Sequence, residues 1–239
     1  MTTSIQDFVA QQEELNKRRR ILHPMLRGIL NIIARVDVEG GENIPRSGPT
    51  LIMSNHISRA DPVVFTGIVP RYLVSMAKSE TLDSFFESLA LHTWGNFVVN
   101  RGEVDREALK KSIELLKSEN PLWIAPEGTR NPDGLGEAYG GMAYIAYKAN
   151  ATVVPSAILG IKDWAHRLRR LRRAYAKVVF GRPFRFHVPD GERFSRDVRE
   201  QMIQEAMYQL ALAIPDEYAS QRGAYHNLEN VTTKYVEFV

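Results

Sequence analysis

Residues 50–69 read TLIMSNHISRADPVVFTGIV, and this stretch decides the fold. Its first part, Thr50–Met53, is a short apolar run with β-branched residues, which predicts a buried strand. Asp61 and Pro62 are typical of a helix start, with Asp at the N-cap and Pro in the first turn, and predict a helix over Pro62–Val69. A strand that leads through a short loop into a helix is the repeating unit of an α/β fold.

The same alternation continues along the chain. Further strands are predicted at Tyr72–Met76, Asn96–Val99, Leu122–Ala125, Thr152–Leu159 and Lys177–Phe180. Further helices are predicted at Thr81–His92, Glu103–Ser118, Ala138–Ala149 and Ser195–Ala213. This order predicts a single layered α/β domain, residues 39–239, whose largely parallel sheet is flanked by helices.

Residues 1–38 predict an N-terminal appendage of two amphipathic helices. Ser4 and Asp7 resemble a capping box, and the basic run Lys17–Arg20 is typical of a last turn. Pro24 suits the first turn of a second helix, Pro24–Arg35, whose apolar residues recur every three or four positions. This second helix either packs on the core of the domain or lies in a membrane interface.

The composition excludes several classes of protein. The chain has 239 residues, of which 44% are hydrophobic and 25% charged, as in a folded globular protein. It has no cysteine, which excludes disulfides, thiol nucleophiles and cysteine-ligated metals. The longest charge-free stretches have 13 residues, whereas a spanning helix needs about 20. No secretory signal is visible at the N-terminus, so we expect the protein to stay on the cytoplasmic side.

The positive charge is concentrated in two segments. Net charge is only +3, but Ile161–Arg173 holds six basic residues against one aspartate, and Lys17–Arg20 adds four more. Such a segment is either a solvated helix face or a surface for an anionic partner. Trp164, Leu168 and Leu171 between the arginines favour anionic lipid headgroups. An acidic acyl carrier protein would also suit the segment, whereas no nucleic-acid-binding motif is present and we expect no such partner.

His56 and Asp61 are the candidate catalytic pair. His56 follows the first strand, and ligands of such sheets bind at the carboxyl ends of strands. A tight loop would fold Asp61 back onto the His56 ring, where a carboxylate fixes the tautomer and leaves the other ring nitrogen to accept a proton. The alternative is a loop histidine next to an aspartate that only caps a helix.

Two arginines also follow predicted strands. Arg130 ends the run Pro126–Arg130, and Arg101 ends the run Asn96–Arg101. A guanidinium group binds phosphate through a bidentate fork. Each arginine alone is more often a solvated surface residue, but three strand ends that deliver a histidine–carboxylate pair and two arginines favour one shared site with a base and an anion clamp.

Four stretches in order resemble the motifs of the glycerolipid acyltransferases, in particular the bacterial 1-acyl-glycerol-3-phosphate (lysophosphatidic acid) acyltransferases. They are Asn55–Asp61, Gly95–Arg101, Pro126–Arg130 and Val153–Pro155. The resemblance covers about residues 40–186. The sequence departs from the family pattern at two positions: Ala125 stands where an aromatic residue is frequent, and Asn131 where a serine is common.

The resemblance implies a role for each matching residue. His56 is then the general base, which Asp61 orients. Arg101 and Arg130 bind the phosphate of the acceptor. Glu127, Gly128 and Thr129 of the same motif contribute to the acceptor-binding pocket.

The implied reaction transfers a fatty acyl chain to lysophosphatidic acid and gives phosphatidic acid. The donor is acyl-CoA or acyl-ACP as a co-substrate, and no metal or other cofactor is implied. The implied location is the cytoplasmic face of the membrane, with peripheral or monotopic attachment. Three alternatives stay open: another lysophospholipid acceptor, a catalytically silent lipid-binding homologue, and a lipid hydrolase in which water replaces the alcohol.

Overall fold

A mixed sheet runs through the computed structural model, which describes residues 5–78, 92–99 and 105–239. The strands of these residues are β1 (Ala34–Glu39), β2 (Thr50–Ser54), β3 (Val74–Lys78), β4 (Phe97–Val99), β5 (Leu122–Ile124), β6 (Thr152–Leu159), β7 (Ala174–Phe180), β8 (Phe184–Phe186) and β9 (Val236–Phe238). The α-helices are α1 (Ile5–Ile33), α2 (Asp61–Ile68), α3 (Arg106–Lys117), α4 (Gly141–Lys148), α5 (Trp164–Arg169) and α6 (Arg196–Leu212). Short 3₁₀ segments cover Gly41–Asn43, Asp216–Tyr225 and Leu228–Asn230.

The strand order is β1-β7-β6-β2-β5-β3-β4, and β8 and β9 extend the sheet from β6. The five strands from β6 to β4 are parallel, whereas β7 and β8 pair with β6 in the antiparallel sense. The prediction of a largely parallel sheet flanked by helices is therefore confirmed. Met53 of β2 lies opposite Ile124 of β5, so the chain segments that follow these two strands meet at one edge of the sheet.

The helices cover both faces of the sheet. On one face α3, α4 and α6 contribute to a large apolar core, and on the other α2 and the C-terminal part of α1 pack over a second core. Ser195 caps α6 by accepting a hydrogen bond from the amide of Val198, and Asp105 caps α3 in the same way through Ala108. The helix predicted at Thr81–His92 lies outside the described residues, except for its last residue.

The predicted pair of N-terminal helices is in fact one helix. Pro24 lies inside α1 rather than at the start of a second helix. An interior proline removes one backbone hydrogen bond and costs about 3 kcal/mol. Phe8 and Leu15 before the proline and Leu30 after it are buried. Packing on both sides of the proline therefore keeps the two parts in a single helix.

A buried arginine fixes α1 to the domain. The Arg19 side chain is fully buried and donates from Nε to the carbonyl oxygen of Trp94 (2.8 Å), from Nη1 to Asn16 Oδ1 (2.8 Å) and from Nη2 to Gln12 Oε1 (2.6 Å). Burial lowers the pKa of Arg19 to about 10. Gln12 Nε2 donates to the carbonyl oxygen of Gly95 (3.1 Å). Helix α1 is thus attached to the loop that leads into β4.

Strand β1 follows α1 directly and was not predicted. It pairs in parallel with β7, from Ala34 opposite Ala174 to Glu39 opposite Val179. The boundary placed between residues 38 and 39 falls inside this strand. Its partner is about 140 residues away in the sequence, so no local pattern could reveal the pairing.

Candidate active site

The loop between β2 and α2 brings His56 and Asp61 together. His56 Nδ1 lies 2.8 Å from Asp61 Oδ2. The same oxygen accepts hydrogen bonds from the amides of Ile57 (2.7 Å) and Ser58 (2.8 Å). Asp61 is fully buried at the first position of α2, where Pro62 follows it in the first turn. Its carboxylate thus holds the loop and the imidazole at once.

This contact determines which ring nitrogen is available for chemistry. A carboxylate oxygen only accepts hydrogen bonds, so Nδ1 carries the proton and Nε2 has a free lone pair. The negative charge of Asp61 also stabilises the imidazolium that forms when Nε2 takes up a proton. The ring packs edge-on against Trp123, with centroids 5.5 Å apart, and Trp123 donates from Nε1 to Ser54 Oγ (2.9 Å).

The main chain of His56 is held by the residues that follow β5. Its amide donates to Glu127 Oε2 (3.3 Å), and its carbonyl oxygen accepts from the amide of Asn131 (2.7 Å). Glu127 Oε1 accepts from Asn131 Nδ2 (2.8 Å) and from the amide of Gly136 (2.7 Å). Burial raises the pKa of Glu127, while these hydrogen bonds act in the opposite direction.

Asn55 fixes the end of β2 from the other side. Its Nδ2 donates to the carbonyl oxygen of Ile158 (2.9 Å), and its Oδ1 accepts from the amide of Ile158 (2.8 Å). The backbone pairing of β2 with β6 ends at Ser54, and these two side-chain hydrogen bonds continue the contact with β6 where the chain turns toward His56. Asn55 is buried, and its bonds to Ile158 hold the end of β2 that leads to His56.

A cavity of about 630 Å³ opens beside His56. Among the described residues, His56, Arg59 and Arg130 are the basic side chains that line it. Its apolar wall includes Leu22, Met25, Leu26 and Ile29 of α1, and Trp123 and Ile124 of β5. A cavity of this size and lining suits an apolar chain, with the basic groups gathered beside the histidine.

The five predicted acceptor-binding residues have different surroundings. Gly128 and Arg130 line the cavity. Glu127 is buried and accepts hydrogen bonds from His56, Asn131 and Gly136, and Thr129 is exposed to solvent. Arg101 lies outside the described residues. Within the described parts of the chain, no group of three or more histidine, aspartate or glutamate side chains is placed to hold a metal ion.

Arg59 is a cavity residue that the sequence reasoning missed. It lies between His56 and Asp61 in the same loop and lines the cavity with His56 and Arg130. Like Arg101 and Arg130, Arg59 follows the carboxyl end of a strand, and this position could have identified it.

Helix α1 has an exposed apolar face beside the cavity. Ile21, Met25, Ile29 and Ile32 are 52–73% exposed and recur at intervals of three or four residues. Met25 and Ile29 also line the cavity, so this face surrounds part of its mouth. Among the residues that the structure describes, no helix combines the length and the apolar character needed to cross a membrane.

The basic segment Ile161–Arg173 lies against the C-terminal end of α1. Arg173 Nη2 donates to the carbonyl oxygens of Asn31 (2.6 Å) and Ala34 (2.7 Å). Leu171, at φ +55°, is 98% exposed among the arginines. The segment forms α5 and a turn, and both are largely exposed.

The chain belongs to the acyltransferase family. The family model described as "Acyltransferase" matches residues 35–159, slightly more than half of the chain. These residues include β2, the His56–Asp61 loop and the segment after β5, so the resemblance stated from the motifs is confirmed.

Its similar proteins are 1-acyl-sn-glycerol-3-phosphate acyltransferases. The chain is 32% identical over 133 residues to that of Borreliella burgdorferi, which covers 54% of this chain and 53% of the relative. It is 29% identical over 150 residues to the human alpha form (61% and 53%) and 27% identical over 175 residues to that of Bacillus subtilis (71% and 86%). The chain spans about half the length of the first two relatives.

A solved structure has the same fold. The 1-acyl-sn-glycerophosphate (LPA) acyltransferase PlsC of Thermotoga maritima matches with a TM-score of 0.60 at 20% identity. The match covers 91% of this chain and 83% of the other. The match therefore extends beyond residues 35–159, the part that the family model covers.

Proposed function

We propose that this protein transfers a fatty acyl chain from an acyl thioester to the free hydroxyl of lysophosphatidic acid and so makes phosphatidic acid. The observation that carries the proposal is the Asp61-oriented His56, which opens into an apolar cavity beside Arg130. The similar proteins named above are acyltransferases for 1-acyl-sn-glycerol-3-phosphate, which supports the same acceptor here.

His56 acts as the general base in this proposal. Its Nε2 accepts the proton of the acceptor hydroxyl while the hydroxyl oxygen attacks the thioester carbonyl. The new C–O ester bond forms, the C–S bond breaks, and the thiolate leaves with the proton that the imidazolium returns. Asp61 stabilises the imidazolium between these two transfers. General base catalysis of this kind contributes about 10²–10⁴-fold to the rate.

The acceptor phosphate binds the arginines of the site. Arg130 lines the cavity with His56, and by resemblance Arg101 contributes a second guanidinium. The apolar wall accommodates acyl chains, whose burial contributes about 0.8 kcal/mol per CH₂. The donor is acyl-CoA or an acyl carrier protein, and the residues of the cavity do not distinguish the two.

The protein works on the cytoplasmic face of a membrane in this proposal. The exposed apolar face of α1 dips into the interface, and the arginines of Ile161–Arg173 bind anionic headgroups beside it. Two observations support this attachment: the apolar face surrounds part of the cavity mouth, and Arg173 joins the basic segment to the C-terminal end of α1.

An acyl-transfer assay tests the proposal. Purified protein in mixed micelles is given acyl-CoA or acyl-ACP with a panel of acceptors: lysophosphatidate, lysophosphatidylcholine and monoacylglycerol. We expect phosphatidic acid from lysophosphatidate, loss of the product in His56→Ala, and a raised KM for lysophosphatidate in Arg130→Gln. Arg196→Gln, an exposed arginine of α6, is the matched control and keeps the wild-type KM.

Other outcomes of the same assay reject parts of the proposal. Preferred transfer to a phosphate-free acceptor, with KM unaltered in Arg130→Gln, would refute the anion clamp. Release of free fatty acid instead of ester would make the protein a hydrolase. Lipid binding without turnover of any acceptor would make it a silent homologue.

A further inference from the structure

The C-terminal segment Asp216–Tyr225, called here the tail segment, packs against the loop that supports His56. This support loop comprises residues 127–136. Two main-chain hydrogen bonds join the two: the amide of Leu135 donates to the carbonyl oxygen of Gln221 (2.9 Å), and the amide of Ala224 donates to the carbonyl oxygen of Leu135 (3.0 Å). The Leu135 residue that makes both hydrogen bonds is itself buried.

The contact is so close that only glycine fits. Gly223 has φ +50° and ψ −121°, a conformation that other residues rarely adopt. A Cβ atom added there would lie 2.2 Å from the carbonyl oxygen of Leu135 and 2.7 Å from its nitrogen. On the opposite side, a Cβ added at Gly134 would lie 3.1 Å from Gly223 Cα. The two main chains therefore touch, and a side chain at either position would separate them.

The tail segment is itself fixed to the body of the domain. Arg222 donates from Nη2 to the carbonyl oxygen of Ile214 (2.8 Å) and to Asp216 Oδ1 (2.6 Å), and from Nε to the carbonyl oxygen of Ala211 (3.3 Å). Ala211 belongs to α6, which packs in the large core. The support loop therefore rests on an anchored surface.

The support loop holds both main-chain polar groups of His56. Glu127 accepts from the amide of His56, and Asn131 donates to its carbonyl oxygen. The amide of Gly136, next to Leu135, donates to Glu127 Oε1. Tail segment, support loop and histidine thus form one continuous set of contacts.

We propose that the tail segment positions His56 for proton transfer and that Gly223 is a positioning residue. The tail segment lies outside residues 35–159, the part that matches the family model. The inference rests on the proposed function only in that His56 is the base. A base displaced by about 1 Å loses up to 10²-fold in rate, and Arg130, which belongs to the support loop, moves with it.

Gly223→Ala tests the inference against Gly191→Ala. Gly191 also has a positive φ (+87°), but a Cβ there meets nothing within 4 Å, so this control adds a side chain at a positive φ without the contact. We expect Gly223→Ala to lower kcat/KM for lysophosphatidate at least tenfold, because the support loop carries both the contacts of His56 and Arg130. We also expect hydrogen exchange at the amides of His56 and Asn131 to become at least tenfold faster. Gly191→Ala should change neither quantity.

Two further variants keep the test decisive. If Gly223→Ala does not fold, Arg222→Gln loosens the tail segment without a clash, and we expect a loss in the same direction of about threefold. The double variant Gly223→Ala/Glu127→Gln should lose no more than twofold beyond the worse single variant, because both act on the same contacts. Multiplicative losses would overturn the inference.

Hydrogen exchange separates this inference from the proposed function. If the wild-type protein shows no acyl transfer, the proposed function is refuted. Hydrogen exchange at the His56 and Asn131 amides would still show whether the tail segment holds His56 in place. Unchanged exchange in Gly223→Ala, or changes equal to those in Gly191→Ala, would overturn the inference even in an active enzyme.

Discussion

His56 is restrained at three points: its ring by Asp61, its amide by Glu127 and its carbonyl by Asn131. A general base has to hold its lone pair within about 0.5 Å of the productive position. Here the restraint on the ring comes from the β2–α2 loop and the restraint on the main chain from the segment after β5. The position of Nε2 thus depends on two separate parts of the fold.

Replacing the carboxylate of the pair should reduce catalysis strongly. Asp61→Asn keeps the size of the side chain, but the amide cannot hold the imidazole in the same tautomer or stabilise the imidazolium. We expect kcat to fall about 10²–10⁴-fold. The assay is acyl transfer on protein whose fold is checked by circular dichroism, and activity within tenfold of wild type would contradict an orienting role.

The raised pKa of Glu127 makes the free energy of unfolding depend on pH with a predictable sign. Because burial raises this pKa in the folded state, the contribution of Glu127 to stability is complete below its unfolded pKa and is lost as pH rises through the folded pKa. Relative to Glu127→Gln, the wild-type protein should therefore lose stability as pH rises from about 4, the ordinary glutamate pKa.

Urea unfolding of both proteins over a series of pH values measures this difference. Glu137→Gln, an exposed glutamate of the neighbouring turn, is the control and should follow the wild type throughout. A wild-type advantage that grows with pH would show that the hydrogen bonds to the Glu127 carboxylate outweigh its burial.

Helix α1 is an integral element of the domain, and its buried arginine shows why. Arg19 donates to acceptors on α1 itself and to the carbonyl oxygen of Trp94. Trp94 in turn lines the cavity and donates from Nε1 to the carbonyl oxygen of Leu73 (2.7 Å). The helix with the exposed apolar face is therefore bonded directly to a wall of the cavity.

Removing this anchor should destabilise the protein. Arg19→Ala leaves the carbonyl oxygen of Trp94 and the side-chain oxygens of Gln12 and Asn16 without their donor, which costs about 2–4 kcal/mol in the free energy of unfolding. Arg18→Ala, one position away on the exposed side, should cost no more than about 0.5 kcal/mol. Chemical denaturation measures both, and equal losses would refute the anchoring role.

The sequence predicted the elements with strong local patterns. Strand β6 was predicted at its observed bounds, and α6 within one residue at each end, because a β-branched run and a capped apolar stripe are local signals. The single helix across Pro24, strand β1 and the short pair of β8 and β9 depend on partners far along the chain. Tertiary packing there overrides what neighbouring residues indicate.

The candidate site was predictable to a similar extent. The contact between His56 and Asp61 follows from a strand end, a tight loop and a helix cap, all visible within twelve residues of sequence. The bonds of Glu127 to His56 and Gly136, and the support that Leu135 receives from Gln221, join segments without any shared pattern. Only the folded chain reveals them.

For the whole molecule, the exposed apolar face of α1 and the basic segment that Arg173 attaches to it predict binding to anionic membranes. Each exposed arginine near such a surface contributes about 1 kcal/mol. Replacing Arg167, Arg169, Arg170 and Arg172 by Gln should therefore weaken binding to phosphatidylglycerol vesicles about 10³-fold at low salt. Arg173 is kept, because it holds the end of α1.

A matched variant separates local binding from net charge. Arg46, Arg106, Arg193 and Arg196 are exposed on other elements, and their replacement by Gln changes net charge by the same amount. Vesicle co-sedimentation should show near wild-type binding for this control. Equal losses in the two variants would mean that the basic segment has no special role at the membrane.

The parallel pairing of β1 with β7 also sets an order of events during synthesis. Strand β1 leaves the ribosome about 140 residues before β7 exists, which corresponds to roughly 7–28 s of translation at 5–20 residues per second. Throughout that interval β1 lacks the strand with which it pairs. Strand β1 is therefore made before the rest of the sheet but is among the last strands to reach its final place.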